Sequence, residues 1–258
     1  MHRGNSGEDY MRKLIVANFK MSQTTTDTKN YFTKLVCKMD NPALELVVCP
    51  PFTSLSVAKF FTEGTEIKLG AQNLADDEIQ ITGEISASML KSVGVDYVIV
   101  GHGDRRNKFK ETNLAINKKI KSALKQGLKC ILCVGESAAE RTALKTAEIL
   151  RKEVEEGLKG LYENELESVV IAYEPVWAVS TGKNASIKEI EDGCKIIRRT
   201  IKDNYSEKAS RDIQVIYGGG LNTINAGKLL QAKEIDGAMF GSASLDVDSF
   251  VSIMNKIR

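Results

Sequence analysis

Short apolar runs rich in β-branched residues recur eight times at a spacing of roughly 32 residues, the length of one strand plus a crossover helix. The runs are 14–18, 44–49, 66–71, 95–100, 129–134, 168–173, 213–217 and 236–240. Their length and β-branching predict strands. The charged segments between them, clearest over 107–126, 138–161 and 187–205, repeat apolar residues every three or four positions and predict helices. Strand followed by helix, eight times, demands a parallel sheet covered by helices, and the two solutions are an open doubly wound sheet or a closed barrel. Eight units in 258 residues fit the (β/α)8 barrel. A doubly wound sheet would place a glycine-rich phosphate turn after the first strand, where this chain has Asn18-Phe19-Lys20-Met21. No Pro/Gly/Ser-rich hinge divides the sequence, so residues 11–258 are expected to form a single barrel domain. Residues 1–10 contain no apolar signal-peptide core and are expected to be a disordered extension.

Composition narrows the function classes. Lys plus Arg number 36 against 34 Asp plus Glu, a formal charge of +2, so no basic excess points to nucleic acid or an anionic membrane. Any anion site has to be local. No apolar run approaches the ~20 residues that span a bilayer. The five cysteines, Cys37, Cys49, Cys130, Cys133 and Cys194, are an odd number without paired zinc-ligand motifs. Only Cys130 and Cys133 lie close together, and on a strand they would face opposite sides. That pattern favours reduced structural thiols, with no metal site, in a cytoplasmic protein.

In a barrel of parallel strands the active site lies at the C-terminal strand ends, so the polar residues that follow the apolar runs are the candidates. Strand one ends in Asn18 and Lys20, strand four in His102, strand six in Glu174, and strands seven and eight in the clusters Gly218-Gly219-Gly220 and Gly241-Ser242. Singly, each has a bland alternative: a solvated lysine, a satisfied histidine, a structural ion pair, a glycine turn. Jointly they bring a cation, a hydrogen-bond donor, a carboxylate base and a backbone-lined anion pocket to one mouth. That set suits proton abstraction beside a carbonyl in a small phosphorylated substrate.

The segment Ala172-Tyr-Glu174-Pro-Val-Trp177-Ala-Val-Ser180-Thr-Gly182-Lys183 resembles the sixth-strand signature and flexible loop of the triosephosphate isomerases. Ala17-Asn18-Phe-Lys20-Met21, Gly70-Ala-Gln-Asn73, Gly83-Glu84-Ile-Ser86, Gly101-His102-Gly-Asp-Arg105-Arg106, Cys133-Val-Gly-Glu136, Tyr217-Gly-Gly-Gly220 and Gly241-Ser242-Ala-Ser-Leu245 resemble other segments of that family, in the family's order. The resemblance runs from about Met11 to Arg258.

It implies a cofactor-free, homodimeric enzyme of glycolysis and gluconeogenesis that interconverts dihydroxyacetone phosphate and glyceraldehyde 3-phosphate through a cis-enediol(ate). Glu174 would be the catalytic base and His102 the electrophile, with Lys20 stabilising the enediolate and Asn18 positioning Lys20. Ser180, Gly219, Gly220, Gly241 and Ser242 would bind the substrate phosphate. Trp177, Ala178, Val179, Ser180, Thr181, Gly182 and Lys183 would form a lid that excludes water. Glu136 and Arg106 would be structural ion-pair and interface elements. The loop from Asp76 to Thr82, carrying Ile79 and Ile81, would insert into the partner subunit.

Gly103, Asp104, Ser180, Gly220 and Ser242 depart from the family's usual residues there, which are serine, glutamate, glycine, serine and glycine. Asp104 is one methylene shorter for reaching Lys20, and the Ser242 hydroxyl is expected to replace the donor lost at Gly220. These departures leave room for two rivals: an isomerase of a longer phosphosugar such as a tetrulose phosphate, and a non-catalytic barrel that binds a phosphometabolite.

Overall fold

The β-branched runs pair side by side, in parallel, and the row closes on itself. The computed structural model describes residues 12–39, 41–76, 80–180 and 184–257. Among these, eight strands form a closed barrel in sequence order. They are β1 Lys13–Asn18, β2 Leu44–Cys49, β3 Lys68–Ala71, β4 Tyr97–Val100, β5 Lys129–Val134, β6 Val169–Tyr173, β7 Gln214–Gly218 and β8 Gly237–Phe240. Closure comes from β1, which pairs β2 on one side and β8 on the other, with Leu14 opposite Glu45 and Gly237. Helices lie between successive strands, so the fold is a (β/α)8 barrel. The expected extension at 1–10 lies outside the described residues.

Period-two alternation sorts the strand side chains into two cores. Leu14, Val16, Val47, Tyr97, Ile99, Ile131, Val170, Ala172, Ile216 and Met239 fill the barrel interior. Ile15, Ala17, Val48, Val98, Leu132, Ile171 and Val215 face outward and pack beneath the helices. Cys133 belongs to the inner core and Cys130 to the outer, as their spacing on a strand predicts. Four of the thiols are buried and Cys37 is exposed. Burial pushes the Cys49 and Cys130 thiols well above the ordinary range, which suits inert packing.

The same alternation aims the functional residues. Asn18 continues the inward series Leu14, Val16, and Glu174 continues Val170, Ala172. Both are buried and face inward at the barrel mouth.

Two predicted helices are broken in the structure. The segment 107–126 becomes Gly103–Lys108 and Asn113–Lys125, because Lys110 takes φ 57° and Thr112 caps a new start by accepting from Ala115 N. The segment 138–161 becomes Ala138–Thr142 and Thr146–Gly157, with Leu144 at φ 59° between them. The third survives as Ile187–Asn204, opened by a Ser186/Glu189 capping box. No described helix is long and apolar enough to cross a membrane.

Candidate active site

At the end of β1 the chain turns at Lys20 through φ 50°, a left-handed conformation that costs a side-chain-bearing residue about 1–3 kcal/mol. Hydrogen bonds hold the turn. Lys20 N donates to Asn18 Oδ1 (3.0 Å), and Gln72 Nε2 donates to the Lys20 carbonyl (2.7 Å) and to that of Cys49 (2.9 Å). The turn sends Lys20 Nζ across to Asp104 Oδ2 at 2.9 Å. The shorter carboxylate therefore does reach Lys20. Burial pushes the Asp104 carboxyl up, but the Lys20 hydrogen bond and neighbouring positive charges outweigh it and leave the group below the usual range. What this pair lends to folding is present above the unfolded-state value of Asp104. It disappears only as pH falls through the lowered folded-state value.

His102 sits at the end of β4 and caps the helix Gly103–Lys108, its Nδ1 accepting from Asp104 N at 3.0 Å. Asp104 Oδ2 also lies 3.5 Å from Nδ1. A ring nitrogen that accepts a backbone N–H carries no proton, so the neutral ring has its proton on Nε2. Nε2 lies 3.5 Å from Glu174 Oε1. His102 and Glu174 are both buried. Glu174 Oε2 has no hydrogen-bond partner, so half of a buried carboxylate is left open. Glycine makes the room: a Cβ on Gly218 would stand 2.6 Å from Glu174 Cγ and 2.8 Å from Oε1.

Asn18, Lys20, His102 and Glu174 wall a cavity of about 240 Å³ together with Gly219, Gly220, Gly241 and Ser242. Its volume lies below the ~300–1,000 Å³ usual for drug-sized ligands, so it suits a small molecule. A larger cavity of about 780 Å³ opens at the opposite end, among Glu45, Lys129 and Gln214 at the starts of β2, β5 and β7. That end of such a barrel serves stability, and the convergent set of polar groups is at the other. No cluster of His, Cys, Asp and Glu suited to a metal ion occurs among the described residues.

Of the predicted positions, Asn18, Lys20, His102, Glu174, Gly219, Gly220, Gly241 and Ser242 share the cavity. The predicted lid opens differently from a loop: Val176–Ser180 is a helical turn, in which Val176 N donates to Glu136 O (3.0 Å) and Ala178 N to Pro175 O (2.8 Å). Thr181, Gly182 and Lys183 lie outside the described residues, and the side chains of Val179 and Ser180 are likewise not described. Gly103 packs toward this segment, and a Cβ there would meet Val176 Cγ2 at 3.5 Å. Glu136, fully buried, receives Trp177 Nε1 (2.9 Å), Tyr173 OH (3.2 Å) and Arg141 Nη1 (3.2 Å). Arg106 spends its donors within the chain, on Glu153, Asn113 and the carbonyls of Gly101 and Cys133.

The sequence reading assigned no role at the site to three neighbouring residues. Gln72 carried a usable signal, since it is polar and follows an apolar strand directly, like Asn18. Arg141 and Cys133 carried none. The Cys133 thiol is pushed up by burial and then by the nearby carboxylate of Glu174.

Comparison with known proteins gives the family. The family model for triosephosphate isomerase matches residues 13–257. A triosephosphate isomerase of Dictyoglomus thermophilum is 46% identical over 245 residues, covering 94% of this chain and 98% of the relative. That of Alkaliphilus metalliredigens is 42% identical over 247 residues, covering 95% and 100%, and that of Clostridium tetani 41% over 247 residues, covering 95% and 97%. A family match over residues 13–257 and relatives 41–46% identical over nearly the whole chain mean that this chain belongs to the triosephosphate isomerase family.

Proposed function

We propose that the chain interconverts dihydroxyacetone phosphate and D-glyceraldehyde 3-phosphate by proton transfer through a cis-enediol(ate). The observation that carries this reading is the open Glu174 carboxylate beside His102 Nε2 (3.5 Å), in a small cavity that also receives the Lys20 turn. Glu174 removes a proton from the carbon next to the carbonyl, leaving a negative oxygen. His102 Nε2–H donates to that oxygen and relays a proton between the two oxygens, and Glu174 returns its proton to the neighbouring carbon. Lys20 attracts the anionic substrate and stabilises the enediolate, and Asn18 holds the Lys20 backbone. One carbon is oxidised as its neighbour is reduced, so the step balances within the substrate and needs no external oxidant, reductant or leaving group. The reaction belongs to glycolysis and gluconeogenesis, and the protein to the cytoplasm.

Steady-state kinetics with triose and tetrulose phosphates side by side tests the reading. Turnover of the trioses with a much higher kcat/KM is expected. Preference for the tetrulose would favour the paralogue, and binding without turnover the non-catalytic barrel.

The phosphate is held by backbone N–H groups of Gly219, Gly220, Gly241 and Ser242, with Ser180 from the lid. Ser242 lines the cavity, and the cap of the following helix is Asp246, whose Oδ1 accepts Ser249 N. The Ser242 hydroxyl is therefore available to a ligand. A hydrogen bond to a charged group is worth ~1.5–3 kcal/mol, so Ser242→Gly is expected to weaken inhibition by inorganic phosphate by roughly ten- to a hundredfold. Gly220→Ser is not expected to restore it alone, since a Cβ there meets Asn184 Oδ1 at 2.2 Å. Restoration requires Asn184 to give way, as in Gly220→Ser with Asn184→Ala. Phosphate inhibition constants of the single, double and triple variants check this.

The protein acts as a homodimer through the loop from Asp76 to Thr82. Asp77, Glu78 and Ile79 lie outside the described residues, but Ile81 is exposed, as are Met21, Phe52, Met89 and Phe109 on the neighbouring loops and helix. Apolar side chains clustered on successive loops call for a partner surface. Sedimentation should give a dimer, and a fully active monomer would refute this.

A further inference from the structure

The backbone ladder between β4 and β5 ends at Val100 and Leu132, one residue short of Gly101 and Cys133. From there a side chain takes over. Arg106, in the helix Gly103–Lys108, donates from Nε to the Gly101 carbonyl (2.7 Å) and from Nη2 to the Cys133 carbonyl (3.1 Å). Its guanidinium thus bridges two strand ends that the ladder no longer joins. The third nitrogen, Nη1, lies 3.2 Å from Glu153 Oε1 on the helix Thr146–Gly157, and Glu153 Oε2 accepts Gly135 N (2.8 Å). Between Cys133 and Gly135 stands Val134, whose carbonyl accepts Glu174 N (2.8 Å). Gly135 itself lies so close to Glu174 that a Cβ there would stand 1.9 Å from the Glu174 carbonyl oxygen. Arg106 therefore grips the residue before His102, and the Arg106–Glu153 pair holds both neighbours of the residue that bonds to Glu174.

We propose that Arg106 and Glu153 are positioning residues that set the gap between His102 Nε2 and Glu174 Oε1, acting through the backbone at the ends of β4 and β5. The assignment rests on the functional reading above, which gives those two side chains the proton transfers. Each side chain of the pair is 13% exposed, so its hydrogen bonds to backbone groups are shielded from water, and bonds to a charged group are about twice as strong as neutral ones. The chemistry selects arginine. Its planar fork donates in three fixed directions at once, whereas a lysine ammonium is a point charge on a flexible stem. Slack in the pair lets the two strand ends drift, and a misplacement of about 1 Å costs ~10²-fold in rate. Neither side chain lines the cavity, so substrate binding does not depend on it directly.

Two variants and a control test this. Arg106→Lys keeps a charge for Glu153 but cannot span the Gly101 and Cys133 carbonyls. Glu153→Gln keeps an acceptor for Gly135 N and gives up the ionic bond. Arg198→Lys disturbs the pair with Asp236 just before β8, at the other end of the barrel, and so controls for stability alone. His102 is one of two histidines in the chain, so its imidazole nitrogen NMR signals report the gap to Glu174 directly. Expected for Arg106→Lys are a kcat lowered ~10²-fold, KM for glyceraldehyde 3-phosphate and the phosphate inhibition constant within about twofold of wild type, and a displaced Nε2 signal. Glu153→Gln should lower kcat about tenfold with the same split. Arg198→Lys should lower the melting temperature and leave kcat and the Nε2 signal unchanged. The proposal is overturned if Arg106→Lys and Glu153→Gln keep wild-type kcat and Nε2 signal while only the melting temperature falls, or if KM rises and kcat does not fall. Should Arg106→Lys fail to fold, Glu153→Gln decides alone. A wild-type protein that turns over no triose phosphate would sink the functional reading instead. The imidazole signals of the variants would still decide whether the pair sets the gap.

Discussion

Replacing Glu174 by Gln should lower kcat by about 10²–10⁴-fold, the share that a positioned general base usually supplies, with the barrel intact. Circular dichroism and thermal melting check the barrel. The amide keeps the shape of the side chain but cannot take a proton, so the loss falls on the chemical step and leaves KM nearly unchanged. Glu174→Asp retracts the carboxylate by about 1 Å, which is enough to cost ~10²-fold. Gly218→Ala attacks the same geometry from behind, since the added methyl meets Glu174 Cγ at 2.6 Å and has to push the carboxylate out of line. It should cost a comparable factor without touching a titratable group. If all three variants turn over like the wild type, Glu174 is not the base.

The second large effect concerns Lys20. Lys20→Met removes the ammonium that faces both the cavity and Asp104, and leaves Asp104 and Glu174 as the charges nearest an anionic substrate. Losing one preorganised donor to a developing oxyanion costs ~10²–10³ in kcat, and repulsion by the orphaned Asp104 should raise KM in addition. The two parts separate in the double variant. Lys20→Met with Asp104→Asn should recover much of KM and little of kcat. The fold tolerates the change, because the Lys20 side chain is 39% exposed and its turn is held by backbone contacts to Asn18 and Gln72. An unchanged kcat in Lys20→Met would show that His102 alone stabilises the enediolate.

Cys130 and Cys133 show how far local sequence reaches. Three positions apart on one strand, they fall on opposite faces, and the structure places them in different cores. The same parity places Asn18 and Glu174 inward at their strand ends. The eight strands were legible from apolar run length, and Asn18, Lys20, His102 and Glu174 from their place just after those runs, because both depend only on nearby residues in the chain. Tertiary structure decided what depends on residues far apart in the chain. Closure of β1 on β8 brings Leu14 against Gly237. The strained Lys20 turn exists because Gln72, 52 residues away, braces it, and Asp104 reaches Lys20 because His102 Nδ1 holds the start of its helix. The breaks at Lys110 and Leu144 were hidden for the related reason that a left-handed residue without glycine leaves no mark in an apolar repeat. The contacts around Trp177 were equally invisible. Arg141 looks like one more surface charge until folding stacks it on Trp177 and sets it between Glu136 and Glu189. Sequence carries the faces of each strand and helix, whereas the contacts between those faces arise only once the barrel has closed.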